Sequence, residues 1–272
     1  MPPRVTRLDA ELVRRGLARS REQASQLIAA GRVELHGVVA TKPATGVVAD
    51  ASVRVAPDDG TPEYVSRGGH KLAGALAALP GVTIQDKRCL DAGASTGGFT
   101  DVLLRAGAAQ VVAVDVGYGQ LAWSLRTDER VEVVDRTNVR SLGPEAIGGR
   151  VDVTVADLSF ISLPIVLPAL IACTQPDGDL LPMVKPQFEV GKQRLGAGGV
   201  VRDPEQRAEA VAQVARVAAE LGWPAHGVVP SPLPGPSGNV EFFLWLRRSA
   251  TPPIELADIR QAVAAARPGG AT

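Results

Sequence analysis

The sequence predicts an α/β fold built on a mostly parallel sheet, with a small α+β domain before it. Past residue 65, apolar runs of strand length alternate with stretches of helical periodicity, which is the pattern of parallel strands joined by crossover helices. No helical stretch separates the last two runs, so we expect these strands to be antiparallel neighbours. The strand candidates are Arg88–Ala92, Val111–Asp115, Val131–Val134, Val151–Ala156, Leu180–Val184, Gly227–Pro230 and Phe242–Leu246.

The N-terminal residues predict a compact helix-helix-strand unit. Apolar residues from Leu8 to Leu17 fall at helical spacing, and Ser20-Arg21-Glu22-Gln23 is typical of a capping box that starts a second helix. Gly31 would end that helix, and residues 33–35 then alternate as a strand. We therefore predict an N-terminal domain over residues 1–59, a linker over residues 60–65 and an α/β domain over residues 66–272.

The formal net charge of zero conceals an uneven distribution. Residues 1–42 carry eight Lys and Arg against four Asp and Glu, so the basic N-terminal end is the candidate nucleic-acid surface. Two cysteines, Cys89 and Cys173, are too few for a disulfide framework and do not stand in metal-ligand spacing with the three histidines. We therefore expect no metal site.

One uncharged stretch is long enough to raise the question of a membrane span. It runs for 19 residues from Leu158 to Pro176, about the length that crosses a bilayer. Three prolines in it, at positions 164, 168 and 176, favour a buried strand end and helix instead. The N-terminus has no apolar segment of signal-peptide length. These features predict a cytoplasmic protein without a membrane segment.

A glycine-containing loop follows the first strand of the α/β domain. Glycines at such a loop let the backbone approach a ligand at a helix N-terminus, but the spacing here is not the G-x-G-x-x-G that admits a dinucleotide pyrophosphate. Asp115, at the end of the second strand, is placed to accept hydrogen bonds from both hydroxyls of a ribose. The glycine-containing loop and this acid together fit NAD or S-adenosylmethionine. The predicted cofactor contacts are Asp91, Gly93, Ser95, Thr96, Gly97, Phe99, Asp115 and Asn138.

Four polar residues stand where the predicted fold would bring them together: Lys71, Asp157, Lys185 and Glu241. Ligands of open α/β sheets lie beyond the carboxyl ends of the parallel strands, where Asp157 and Lys185 are expected. The two lysines are informative because the chain has 24 arginines and only five lysines. Arginine stays protonated in proteins, whereas a lysine amine can give up its proton. We therefore predict that these four residues carry the chemistry.

The same four residues resemble the Lys-Asp-Lys-Glu tetrad of the FtsJ-like ribose 2′-O-methyltransferases. Longer strings are similar to the TlyA family of haemolysin-named rRNA methyltransferases, namely residues 65–72, 91–100, 115–125, 184–191 and 233–242. The resemblance covers nearly the whole chain. It implies a class I methyltransferase fold with a seven-stranded sheet, S-adenosylmethionine as cofactor, and an N-terminal RNA-binding domain of the ribosomal-protein αL type. The implied reaction is 2′-O-methylation of cytidines in 16S and 23S rRNA.

The chemistry of methyl transfer suggests a role for each of the four residues. Lys185 is predicted to be the general base or the group that orients the hydroxyl, with Asp157 and Glu241 holding its amine and Lys71 tuning charge or binding an RNA phosphate. The partner is ribosomal RNA in ribosomal subunits or ribosomes. Arginine pairs well with phosphate, and the predicted RNA contacts are Arg4, Arg7, Arg14, Arg15, Arg19, Arg21, Lys42, Arg67 and Arg136.

Three other functions fit the sequence less well. An NAD-dependent oxidoreductase would need the dinucleotide loop that this chain lacks. A membrane-active haemolysin would need an unbroken spanning helix or a cationic amphipathic helix, and residues 158–176 are neither. A non-enzymatic RNA-binding protein would leave the four polar residues without a role. A methyltransferase explains more of the sequence than any of the three.

Overall fold

A computed structural model describes residues 5–56, 64–191, 195–235 and 237–266. The chain divides into two compact units, Met1–Arg67 and Gly68–Thr272. Each unit has its own buried apolar core. Arg4 and residues 60–63 of the predicted linker lie outside the described residues.

The first unit combines two helices with short antiparallel strands. In chain order its elements are β1 Val5–Arg7, α1 Leu8–Arg14, α2 Arg21–Ala29, β2 Val33–Leu35, β3 Val38–Val39, β4 Gly46–Val48 and β5 Val53–Val55. β1 pairs with β4, and β2 lies between β3 and β5. The apolar faces of both helices meet in the core, where Leu8, Leu12 and Ile28 are at most 1% exposed.

Two details of the first unit differ from the sequence prediction. Helix α1 ends at Arg14 because Gly16 adopts a left-handed φ of 71°, so Leu17 lies beyond the helix and is 37% exposed. Ser20 does cap α2, since its hydroxyl accepts a hydrogen bond from the Gln23 backbone at 3.1 Å. The Gln23 side chain, however, accepts from the backbone N–H of Arg19, one residue earlier than a capping box requires.

The second unit is a seven-stranded sheet with helices between most of its strands. Its elements are α3 Arg67–Ala78, β6 Arg88–Ala92, α4 Gly98–Arg105, β7 Gln110–Val114, α5 Trp123–Arg126, β8 Val131–Val134, β9 Val151–Ala156, α6 Leu163–Cys173, β10 Thr174–Val184, α7 Pro186–Glu189, α8 Pro204–Glu220, β11 Ala225–Pro230, β12 Phe242–Arg247 and α9 Leu256–Ala265. The strand order is β11-β12-β10-β9-β6-β7-β8.

The sheet direction confirms the predicted fold class. β6, β7, β8, β9 and β10 are parallel to their neighbours among these five, whereas β12 runs antiparallel to β10 and to β11. The last strand in the sequence is therefore inserted between two earlier ones rather than added at the edge. The chain adds β7 and β8 on one side of β6 and then returns to add β9 and β10 on the other side. The carboxyl ends of β6 and β9 therefore lie side by side at the point where the strand order reverses, which is where open sheets bind ligands.

The uncharged stretch 158–176 contains the predicted helix, but it begins with a loop, because β9 ends at Ala156, and it finishes with the start of a strand. Helix α6 has Pro164 in its first turn and Pro168 inside, and its residues Val166, Leu167 and Leu170 are fully buried. Strand β10 begins at Thr174, earlier than the predicted Leu180, with an irregularity in its pairing between Thr174 and Asp179. Within the described residues, no helix combines the length and apolar character needed to cross a bilayer.

Candidate active site

The loop between β6 and α4 makes a tight turn at the carboxyl end of the central strand. Gly93 has a φ of 88°, and a Cβ there would lie 2.6 Å from the carbonyl oxygen of Asp157. Gly97 has a φ of 98°, and a Cβ there would lie 2.2 Å from the Leu125 side chain. Both positions therefore need glycine for conformation and for space. The turn ends at the N-terminus of α4, whose first backbone N–H groups lack helical partners.

Asp115 follows β7 and ties the neighbouring loop to this turn. Its two carboxylate oxygens accept hydrogen bonds from the backbone N–H groups of Ser95, at 2.8 Å, and Gly117, at 2.7 Å. The side chain is half-buried, and a carboxylate oxygen can accept more than one hydrogen bond. Asp115 therefore keeps the capacity to accept the hydroxyls of a ribose, as the sequence predicted.

The remaining predicted cofactor residues divide into exposed and enclosed groups. Ser95, Thr96 and Asn138 are exposed, and the Asn138 side-chain oxygen accepts from the backbone of Arg140 at 3.0 Å. The Phe99 ring is only 3% exposed and packs 5.8 Å from the ring of Phe243. The Phe99 side chain is therefore part of the core, which leaves only its backbone N–H in the first turn of α4 for a ligand.

Asp91 lies beneath the loop rather than on its surface. Its side chain is 0% exposed, and one oxygen accepts from the Thr100 hydroxyl at 2.7 Å while Oδ1 has no hydrogen-bond partner among the described residues. Burial raises the pKa of Asp91 to about 7, opposed by the Thr100 hydrogen bond and reinforced by the nearby charges of Asp157 and Asp115. Direct contact between Asp91 and a ligand, as predicted, is not possible in this arrangement.

Lys185 forms an ion pair with Asp157 at the carboxyl ends of two adjacent parallel strands. Lys185 follows β10 and Asp157 follows β9, and the Lys185 Nζ lies 2.6 Å from Asp157 Oδ1. The same Nζ donates to the Ser159 hydroxyl at 3.0 Å. Lys185 is 8% exposed, so its amine is almost entirely enclosed. The predicted convergence of Lys185 and Asp157 is thus present in the structure.

Lys71 and Glu241 form a second buried ion pair. Lys71 lies on α3 and Glu241 precedes β12, and Nζ lies 2.5 Å from Glu241 Oε2. Their exposed fractions are 7% and 1%. The other carboxylate oxygen lies 3.4 Å from the Gln187 amide nitrogen. The prediction that Glu241 holds the Lys185 amine is therefore wrong, because its carboxylate is held by Lys71, and a buried Lys71 is poorly placed to bind a phosphate.

The Lys71–Glu241 pair depends on close packing between α3 and the loop before β12. A Cβ on Gly74, one turn after Lys71, would lie 2.7 Å from the Pro232 ring. A Cβ on Gly235 would lie 2.5 Å from Glu241 Oε1. Glycine at both positions lets α3 and the loop before β12 approach until lysine and carboxylate are in contact.

A cavity of about 800 Å³ connects the two ion pairs, since Lys185 and Glu241 both line it. Phe160 and Phe188 also line it, with ring centroids 5.2 Å apart, and Phe160 is 91% exposed. The volume lies in the range typical of small-molecule sites. An apolar wall opposite two charged groups suits a flat, partly polar ligand such as a nucleoside.

Glu189 joins the two segments that carry Lys185 and Ser159. Its carboxylate accepts from the Ser162 hydroxyl at 2.5 Å and from the backbone N–H of Leu163 at 2.9 Å, at the start of α6. Burial raises the pKa of Glu189, and these two hydrogen bonds partly offset the rise. The residue thus caps α6 from the end of α7.

Sequence reasoning missed Ser159, Gln187 and Glu189. Each lies within four residues of a predicted catalytic residue, which was the only available signal. Their contacts depend on how the loops after β9 and β10 fold against each other, and no residue periodicity reports that.

The predicted RNA-binding residues of the first unit fall into three groups. Arg19 and Lys42 are exposed. Arg7, Arg14 and Arg21 are ion-paired, yet their side chains remain 51%, 57% and 60% exposed. Arg15 differs, because its nitrogens donate to Glu11 and to the backbone carbonyls of Ala49 and Ala51, and its side chain is 21% exposed. Arg15 is therefore fixed in the unit and not placed for RNA as predicted.

The two predicted RNA contacts outside the N-terminal cluster differ in exposure. Arg67 is half-buried at the start of α3. Arg136 is exposed at a left-handed φ of 56°, with its guanidinium 4.2 Å from the centre of the Tyr118 ring. This is the distance of a cation–π contact. Arg136 therefore presents a basic group on an exposed turn.

The strand order, the glycine loop and the two lysine–carboxylate pairs are those of a methyltransferase fold with its candidate site. The sequence matches the FtsJ-like methyltransferase family over residues 64–248 and the S4 domain family over residues 6–53. TlyA of Mycobacterium tuberculosis, named a 16S/23S rRNA (cytidine-2'-O)-methyltransferase, is 61% identical over 260 residues, 96% of each chain. YqxC of Bacillus subtilis, provisionally named an rRNA methyltransferase, is 44% identical over 248 residues, 90% of this chain and 87% of that one.

A solved structure agrees over both units. A Streptococcus thermophilus protein solved under the name hemolysin superposes with a TM-score of 0.75 at 36% identity, covering 97% of this chain and 96% of that one. Identity at this level over nearly the full length shows common descent as well as a common fold. The chain belongs to the TlyA family of FtsJ-like methyltransferases.

Proposed function

We propose that this methyltransferase uses S-adenosylmethionine to methylate ribose 2′-hydroxyls of ribosomal RNA, at cytidines of the 16S and 23S molecules. The observation that carries the proposal is the enclosed Lys185 amine on the wall of a nucleoside-sized cavity, 2.6 Å from Asp157, whose backbone carbonyl packs against Gly93 of the glycine loop. The name of the Mycobacterium tuberculosis relative supports the choice of base and of RNA. The substrate would be ribosomal subunits or ribosomes, which places the reaction in the cytoplasm.

The residues around the glycine loop fit S-adenosylmethionine. Asp115 retains acceptor capacity for ribose hydroxyls, Asn138 is exposed beside it, and the first N–H groups of α4 are available for a carboxylate. Gly93 and Gly97 let the turn pack closely against the Asp157 carbonyl and the Leu125 side chain. When bound, the cofactor supplies an activated methyl group on a sulfonium. The protein then has to align the nucleophilic oxygen and ease the loss of its proton.

Lys185 is the residue assigned to the reacting hydroxyl. Its amine donates to Ser159 and faces Asp157, so the nitrogen is held on the cavity wall in one position. From there it can orient the 2′-hydroxyl and ease the loss of its proton. Positioning by such contacts can lower a barrier by roughly 7–11 kcal/mol in favourable cases.

Lys71 and Glu241 supply a balanced pair of charges on the same cavity. Because Lys71 neutralises Glu241 at 2.5 Å, the carboxylate can lie next to the substrate without a strong net charge. Removing either partner would leave the other charge buried without compensation, which is costly. We assign the pair to fixing the ribose and the local field rather than to accepting the proton.

The first unit is proposed to bind the RNA. We assign residues 1–59 to an RNA-binding domain, residues 60–65 to a linker and residues 66–272 to the methyltransferase domain. Exposed Arg19 and Lys42, together with the partly exposed arginines of α1 and α2, supply cations for phosphates.

The test is methyl transfer from labelled S-adenosylmethionine to purified ribosomal subunits, followed by identification of the methylated nucleotide. Replacing Lys185 with Met is expected to reduce the rate by about 10²–10⁴-fold, while cofactor affinity measured by calorimetry stays close to that of the wild type. Lys87→Met is the matched control, because Lys87 lies at the start of β6, at the opposite end of the sheet strands. Substantial activity in the Lys185 variant would refute the assigned role.

A further inference from the structure

Two acidic side chains are buried in the first unit next to its arginines. Asp9 and Glu11 both belong to α1 and are 3% and 1% exposed. Acids are rarely buried so completely unless they are paired. An acid also repels phosphate, so its presence in a unit proposed to bind RNA calls for a physical reason.

Asp9 connects arginines from two separate elements. Arg7, at the end of β1, donates from Nε at 3.1 Å to one carboxylate oxygen and from Nη2 at 3.0 Å to the other. Arg21, at the start of α2, donates from Nη2 at 3.0 Å to the oxygen that Arg7 Nη2 also contacts. A single oxygen thus holds two guanidinium groups side by side.

Glu11 makes the equivalent contacts further along α1. Arg14 donates to both of its oxygens, at 2.7 Å and 2.5 Å, and Arg15 donates to one of them at 2.7 Å. Two hydrogen bonds to one carboxylate fix the plane of the Arg14 guanidinium as well as its position. Arg15 is held by the backbone in addition, so the Glu11 carboxylate itself cannot move far.

The paired arginines keep donors for another acceptor. A guanidinium has five N–H groups; Arg7 and Arg14 each use two nitrogens toward the acids, and Arg21 uses one. Their side chains are 51%, 57% and 60% exposed, respectively for Arg7, Arg14 and Arg21. Each group is therefore anchored on one side and open to solvent on the other.

We propose that Asp9 and Glu11 are positioning residues for RNA binding, which hold Arg7, Arg14 and Arg21 in one arrangement before phosphates arrive. This rests on the proposed RNA-binding function of the first unit. A free arginine gives up rotamer freedom when it binds, and this entropic cost weakens affinity. An arginine already fixed by a buried acid has given up that freedom during folding. The acids thus strengthen phosphate binding although they lower the positive charge of the surface.

Positioning and simple charge attraction predict opposite changes in RNA affinity when Asp9 or Glu11 is replaced. Replacing Asp9 with Asn or Glu11 with Gln raises the positive charge of the unit by one, so charge attraction alone predicts tighter RNA binding. Positioning predicts weaker binding, by about three- to tenfold for each substitution because one or two arginines regain their freedom. The dependence of log affinity on log salt should also become shallower, by about one unit for each phosphate that the variant no longer neutralises.

The matched control is Glu22→Gln. Glu22 is exposed on α2 beside Arg21, and within the described part of the chain it forms no ion pair. The substitution changes the charge by the same amount, so the control should bind RNA as tightly as the wild type or more tightly. Binding of full-length protein to purified ribosomal subunits is measured over a salt series, with thermal unfolding of every variant as a check on folding.

A double substitution separates positioning from a merely structural effect. Arg21→Gln should weaken binding in the wild type but change it little in the Asp9→Asn background, because Arg21 is already released there. Arg14→Gln with Glu11→Gln gives a second, independent pair if the Asp9 variant does not fold. Equal or tighter binding by both acid variants, or additive reductions in affinity in both pairs, would overturn the proposal. Failure of the wild type to bind subunits would instead refute the proposed RNA-binding function.

Discussion

The two units of this chain bury carboxyl groups in opposite surroundings. In the first unit, hydrogen bonds from arginines lower the pKa of both Asp9 and Glu11 to about 2. In the second unit, burial raises the pKa of Asp91 to about 7 and also raises that of Glu189, and neither has a cationic partner among the described residues. Asp9, Glu11 and Asp91 are similarly buried, yet their pKa values shift in opposite directions because only the first two have arginine partners.

The difference separates acids that stabilise the structure by holding arginines from acids that lie next to the candidate active site. With pKa values of about 2, Asp9 and Glu11 stay ionised at neutral pH, so their arginine contacts do not change with pH there. The second unit holds Asp91, with its pKa of about 7, beneath the glycine turn, and it raises the pKa of Glu189 at the end of α7, the helix that follows Lys185. Perturbed carboxyl groups concentrate at functional sites for this reason.

The largest expected effect comes from an acid that lines the cavity. Glu241→Gln removes the charge that balances Lys71, and the single-turnover rate of methyl transfer should fall by about 10²–10³-fold at saturating RNA and cofactor, the usual effect of removing one electrostatic contact. Glu11→Gln should leave the same saturated rate unchanged, because Glu11 lies in the other unit. A Glu241 variant within a few-fold of wild type would show that this acid, too, is architectural.

A stability effect of opposite sign is expected at Asp91. Because its folded pKa of about 7 lies above the ordinary 3.8, ionisation disfavours the folded state, and this penalty grows as pH rises from about 4 to about 7. Each pKa unit corresponds to about 1.4 kcal/mol. Asp91→Asn should therefore raise the melting temperature at pH 8 and leave it nearly unchanged at pH 4. Destabilisation at pH 8 would mean that the charge of Asp91 is compensated.

Lowering the pH below about 4.5 should destabilise the first unit. The pKa of Glu11 is lowered from 4.5 to about 2, so its contribution to stability is present above about 4.5 and is lost as pH falls toward 2. Hydrogen exchange of α1 and α2 amides should accelerate across this range relative to Glu11→Gln at the same pH. Amides of β6 and β9 should not distinguish the two proteins. Equal exchange in α1 would contradict the lowered pKa.

The smallest expected effect is at Glu189. Glu189→Gln keeps one oxygen for the Ser162 hydroxyl but turns an N–H group toward other neighbours, and loss of the α6 cap should cost about 1 kcal/mol in urea denaturation. Methyl transfer should fall only a few-fold, since Lys185 keeps its contacts with Asp157 and Ser159. A reduction as large as that of Glu241→Gln would place Glu189 among the reacting groups.

Most of the fold follows from local sequence pattern. Strands such as β6, β8 and β9 are short, mostly apolar runs between turn residues, and the structure has them at the predicted bounds. The start of β10 was missed because Pro176, Asp177 and Gly178 are typical of a turn. Pairing with β9 draws this segment into the strand with a local irregularity, and such tertiary pairing is invisible to a single-segment pattern.

The four residues of the candidate site could be predicted to lie together, but which lysine contacts which acid could not. Lysine in an arginine-rich chain and acids at strand ends identified the residues that form the two ion pairs. Which lysine meets which acid depends on the distance between α3 and the loop before β12, and that distance follows from the contact between Gly74 and Pro232. Close approaches of this kind are properties of packed surfaces rather than of sequence spacing.

The partners of the Lys71–Glu241 pair stand 170 residues apart, and the second of them precedes a strand that inserts between β10 and β11. During synthesis, the other six strands of the seven-stranded sheet leave the ribosome before β12 does. A growing chain can therefore assemble its glycine turn and the Lys185–Asp157 pair early, yet its cavity stays incomplete until the segment that carries Glu241 has been made. Closure of the cavity is in this way coupled to synthesis of β12 and the loop before it.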